Sequence, residues 1–161
     1  MGYRAIEGEA FRTRYEGAPE VRWISVEDAH LAVEVAFQVV STPRGSEATF
    51  TTIRFDSVFE FRWIESEVTY FPSNPDDFEF GLIEIVDSDL IELLVRSGMH
   101  ASQPVGQRLG GVLDERHLRH FRIGFDDYGT FDVVCLEVLW DQHTKPSPDR
   151  SNIEPFDGQP I

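Results

Sequence analysis

Apolar residues recur at every second position over much of this chain, the period of extended strands rather than helices. Leu31, Val33, Val35, Phe37 and Val39 share one face of such a segment, and Ala32, Glu34, Ala36 and Gln38 share the other. The small, polar second face predicts a strand with one solvated side. Val21 to Val26 is a shorter strand ahead of it, joined by a turn at Glu27-Asp28-Ala29. A breaker follows at 41–46, where Pro43 and Gly45 supply turn dihedrals. Thr51, Ile53, Phe55, Ser57, Phe59, Phe61 and Trp63 then hold one parity, with Arg54, Asp56, Glu60 and Arg62 on the other. This pattern predicts one long bent strand, or two strands parted near Asp56-Ser57 by a bulge.

Past a loop at 71–77, the run Phe80 to Val86 is apolar on both parities and reads as an interior strand. The period then changes. Ser88 to Ser97 predicts the main helix, with Asp87 or Ser88 as its cap and Leu90, Ile91 and Leu94 as its buried stripe. Gly98 suits a left-handed close. A Gly-rich stretch, 99–111, has the length of a functional or mobile loop. Last comes a hairpin, Leu118 to Phe125 and Thr130 to Trp140, turning at 126–129. Its return arm is apolar on both parities and is expected to pair on both sides.

Segregated strands with one helix favour an α+β domain. The expectation is a mostly antiparallel sheet of about six strands with the helix packed on one face, spanning 1–140. A half-open β-barrel is the alternative. Residues 141–161 form a Pro-rich C-terminal tail, with Pro146, Pro148, Pro155 and Pro160.

Charge changes the functional picture more than any motif does. Twenty-nine acidic residues face fourteen basic ones, a net charge of −15 on 161 residues. Such a field repels nucleic acid and anionic membrane and attracts basic proteins. With 12% aromatic residues the chain can fill a core despite that charge. Cys135 is the single cysteine, so no intrachain disulfide forms, and its apolar surroundings mark it as a buried thiol. The N-terminus lacks a signal-peptide core, and no apolar run is long enough to span a membrane. A cytoplasmic protein fits these features.

Chemistry-bearing patterns are sparse. His117 and His120 have opposite parity on a strand and point to opposite faces, against joint metal ligation. Asp126-Asp127 lacks a calcium-loop pattern, and Gly106 to Gly111 lacks the Lys-Ser/Thr of a phosphate loop. There is no Gly-x-Ser-x-Gly. Trp23, Trp63 and Trp140 read as core or sheet-face packing. No cofactor, metal or catalytic set is therefore expected. The candidate partner contacts are Asp76, Asp77, Phe78 and Glu79, with Phe78 an apolar anchor among charges, and Asp126, Asp127 and Tyr128.

The helix segment Ser88 to Leu94, followed by the hairpin Leu118 to Val134, resembles those of the small acidic bacterial immunity proteins of polymorphic and contact-dependent toxin systems. It covers about a third of the chain. The resemblance implies a non-enzymatic protein that binds a basic toxin domain and blocks its site, with steered association through the acidic field. Two other functions compete on the residues alone. One is a small enzyme or ligand-binding barrel using His117, His120 and a carboxylate. The other is a structural subunit that self-associates. Oligomeric state is left open.

Overall fold

Two interruptions of the alternating pattern, at Ser57 and at Leu136, decide the architecture. The computed structural model describes residues 2–13, 18–26, 30–39, 48–65, 81–98, 117–125, 128–144 and 158–161. These contain ten strands: β1 (Gly2–Ala5), β2 (Glu20–Val26), β3 (His30–Val39), β4 (Thr49–Asp56), β5 (Glu60–Ile64), β6 (Leu82–Val86), β7 (Arg119–Phe125), β8 (Gly129–Cys135), β9 (Glu137–His143) and β10 (Gln159–Pro160). One α-helix, α1 (Asp89–Ser97), lies between β6 and β7. The strands form two antiparallel sheets, ordered β1-β6-β7-β8-β5 and β10-β9-β4-β3-β2. The expected count of about six strands is thus exceeded, and the sheets do not close into a barrel.

The excess has a local cause. Ser57 takes a left-handed φ of 53° and its N–H turns back to Asp56 Oδ1. The chain leaves the second sheet there and enters the first as β5. Opposite it, the return arm breaks at Leu136, so β8 belongs to the first sheet and β9 to the second. Hydrogen bonds continue across this corner: Phe59 N–H donates to Val134 O at 2.8 Å and Leu136 N–H to Asp56 O at 3.2 Å. One two-stranded ribbon therefore runs through both layers, as β4 with β9 and then β5 with β8. The break also reverses the core parity. Phe131, Val133 and Cys135 face the core before Leu136, and Val138 and Trp140 face it after. That reversal, together with the helix on the outer face, is why the return arm is apolar on both parities.

The core lies between the sheets. Val33, Val35, Phe37, Ile53 and Phe55 of one layer meet Leu82, Phe121, Ile123, Phe125 and Val133 of the other. Phe37 packs edge-on against Phe125 at 5.5 Å between ring centroids, and Phe55 lies 6.0 Å from Phe121. Each such fully buried ring contributes roughly 1.5–3 kcal/mol of transfer free energy. Phe11, in a single 3-10 turn after β1, closes one end of the core against Trp140.

Helix α1 forms a third layer on the outer face of the first sheet. Ile91 and Leu94 pack on Leu118 and Val134, with Leu90 and Val95 alongside, close to the predicted stripe. Ser88 is the cap, accepting the Ile91 N–H, and Gly98 closes the helix at φ 60°.

Two strand expectations need correction. The second face of β3 is not solvated at its centre: Ala32 and Glu34 are buried, as are Thr52 and Arg54 on β4. Glu34 tolerates this because it sits in register between Arg22 and Arg54 on the flanking strands. The tail also contributes a strand, since β9 extends to His143 and β10 pairs with it through Gln159 and Pro160. No helix among the described residues is long and apolar enough to cross a membrane.

Candidate functional site

Strand β6 ends at Val86, and the chain must turn sharply to start α1 within two residues. Asp87 makes that turn in a left-handed conformation, φ 54°, which aspartate tolerates better than most residues. Ser88 then caps the helix. The turn, the first helical residues and the start of β7 enclose a cleft of about 580 Å³. Its apolar lining is Ile85, Val86, Ile91 and Leu118, and its polar lining includes Glu84, Asp87, Asp89, Arg119, Ser88 and His120.

The carboxylates differ in how they are held. Burial works against the Glu84 charge, but hydrogen bonds and charge from Arg119 and Arg4 outweigh it and lower its pKa. Arg119 Nε reaches Glu84 Oε1 at 2.7 Å, and the same guanidinium lies over the Phe121 ring and donates to Ile161 O. Glu92 pairs with Arg96 one helical turn on. Asp87 and Asp89 carry no ion pair among the described residues, so the mouth of the cleft keeps uncompensated negative charge.

Beneath the cleft lies a buried polar chain. Ser88 Oγ accepts from the Ile91 N–H and shares a 2.7 Å hydrogen bond with His120 Nδ1. The other ring nitrogen, Nε2, faces Asp132. The Nε2 to Asp132 Oδ1 separation is 3.8 Å, an electrostatic contact rather than a hydrogen bond. Arg122 grips Asp132 with two parallel bonds, 2.6 Å from Nε and 2.8 Å from Nη2. Burial opposes the Asp132 charge, yet the bonds and charge of Arg122, with His120 beside it, hold its pKa down at about 2.

Serine, histidine and aspartate thus meet, but in an arrangement that favours anchoring over catalysis. The serine oxygen is committed as a helix cap, the aspartate is committed to Arg122, and His120 is only 3% exposed. A nucleophile needs a reachable oxygen and a base that the third group orients through a true hydrogen bond. The chain of contacts ties α1 to β7 and β8.

A second feature lies where edge strands β2 and β5 of the two sheets approach each other. Trp23 and Trp63 are 54% and 58% exposed, which corrects their reading as packed residues. Trp23 meets Phe61 edge-on at 5.1 Å, and Trp63 follows two residues later on the same strand face. The Trp63 indole N–H donates to Tyr128 O at 3.0 Å, and Tyr128 is itself 41% exposed. Leu31, also exposed, stands diagonally across from Trp23. Trp140 alone of the three tryptophans packs inward, against Phe11.

Of the candidate contacts, Tyr128 falls in this aromatic edge. Asp76, Asp77, Phe78, Glu79, Asp126 and Asp127 lie outside the described residues. His117 is exposed and does not line the cleft, whereas His120 is buried in its floor, so the two histidines do not share a site. No group of three metal-ligating side chains occurs among the described residues. Cys135 faces the core with its pKa raised by burial, on the opposite sheet face from His120. The Ser88–His120–Asp132 chain was invisible locally, because 32 residues separate its first pair and register alone aligns the third. Comparison with protein-family models, curated proteins and solved structures gives no match.

Proposed function

We propose that this chain is a non-enzymatic binding protein for a basic protein partner, acting as a stoichiometric inhibitor in the manner of an immunity protein against a toxin domain. The observation that carries the reading is the cleft mouth, where Asp87 and Asp89 stand without an ion pair beside the apolar side chains of the lining, in a molecule of net charge −15. A lysine or arginine entering there would replace water with carboxylates while its stem lies on Ile85, Ile91 and Leu118. The surrounding field would speed encounter. A reducing compartment such as the cytosol suits the single thiol.

The test is calorimetric titration with the protein encoded by the adjacent gene, at low and high salt. One-to-one binding that weakens with salt, and weakens again in Asp87→Asn/Asp89→Asn, supports the reading. Absence of binding, or binding indifferent to both, removes it.

A small hydrolase is the second reading, favoured by the 2.7 Å contact between Ser88 Oγ and His120 Nδ1. It requires Ser88 to be phosphonylated by a fluorophosphonate probe, with fluoride leaving and labelling lost in Ser88→Ala.

A further inference from the structure

Among the described residues, strand β5 is the edge of its sheet and pairs only with β8, and alternate backbone N–H and C=O groups face outward along it. Native edges are commonly guarded by charge, proline or brevity. This one is short and carries Glu60 and Arg62, yet it also bears exposed Trp63, and its Phe61 meets Trp23 of the other sheet. Its two charges are opposite in sign and pair with each other, Arg62 Nε to Glu60 Oε1 at 3.0 Å, so the edge is locally neutral on a strongly acidic molecule.

We infer that β5 pairs antiparallel with β5 of a second copy, forming a two-fold dimer centred on Phe61. The strand reads Glu60-Phe61-Arg62-Trp63-Ile64. A two-fold axis at Phe61 sets Glu60 of each copy opposite Arg62 of the other. The two ion pairs within strands become two ion pairs across strands, and Phe61 faces Phe61. Opposite charges directly across an antiparallel pair are favourable, and like charges unfavourable. The pattern is therefore complementary to itself, as an isologous interface requires. Phe61 and Trp63 lie on one face of the paired strands, next to their counterparts in the second copy. The net charge of −15 per chain opposes encounter, so salt strengthens this contact by screening the repulsion. That sign is opposite to the salt response of binding a basic partner, and the inference does not rest on the proposed function.

Sedimentation velocity on the full chain, over a concentration series at low and moderate salt, tests it. The expected result is a reversible monomer–dimer equilibrium, tighter at moderate salt. Arg62→Glu places four carboxylates in the seam and is expected to weaken the dimer by about tenfold or more, and Glu60→Arg likewise by repulsion between cations. The double swap Glu60→Arg/Arg62→Glu restores opposite charges in the same register and should restore the dimer. Arg96→Glu, on the exposed side of α1, should leave it unchanged. Circular dichroism confirms that each variant is folded. A monomer at every concentration, a dimer indifferent to Arg62→Glu, or a double swap that fails to recover would each overturn the inference.

Discussion

At the scale of single residues, Asp132 sets the acid limit of the fold. Its folded pKa of about 2 lies below the 3.8 ordinary for an aspartate. A depressed carboxylate contributes stability above its unfolded pKa and loses it as pH falls through the folded value. The contribution is about 2 kcal/mol at neutral pH, fading between about pH 4 and 2. Glu84, shifted the same way, adds to that loss. Asp132→Asn should cost about 3 kcal/mol, since it removes the carboxylate that pairs with the buried Arg122 charge, and should flatten the stability profile over that acid window. Urea midpoints measured from pH 6 down to 2 check both. None of this could be read from residue types: Arg122 and Asp132 are two charges among many until the β7–β8 register sets them face to face.

At the scale of elements, α1 and the β7–β8 turn make separate predictions. Ser88→Ala removes the cap and the hydrogen bond to His120 together, and should cost about 1–2 kcal/mol. The effect should be cooperative with His120→Ala, which a double-mutant cycle would show as non-additive. Gly129 holds φ 83°, and a Cβ there would run into Ile64 O and the Trp63 indole. Gly129→Ala should therefore destabilise by more than about 1 kcal/mol and raise the exposure of Trp63, read as a red shift in fluorescence. The helix, its cap and the hairpin turn were legible because local chemistry fixes them: hydroxyl at the cap, glycine at positive φ, apolar spacing near 3.6. The break at Leu136 was not, because apolarity on both parities signals burial on both faces without saying which neighbour covers which. The exposed indoles were misread for the same reason. Alternation assigns a residue to a face but not to the middle or edge of a sheet.

At the scale of the whole molecule, charge and layering act together. A net −15 destabilises the compact state through self-repulsion. Raising sodium chloride from low to moderate concentration should therefore raise the melting temperature. A fall over that range would show that specific ion pairs such as Arg122–Asp132 outweigh the general field. The α+β class, the antiparallel pairing and the acidic surface were all available from composition and period. The division into two layers was not, because it depends on a single left-handed residue and its partner across the ribbon.

That ribbon also governs how the protein comes apart. A sandwich whose layers are joined only by loops can shed one leaf while the other persists. Here the same pair of strands is stitched through both leaves, and its hydrogen bonds do not stop at the fold line. Peeling either leaf must tear the seam that holds the other. Calorimetric and van't Hoff enthalpies should accordingly coincide, with no half-molten species on the way.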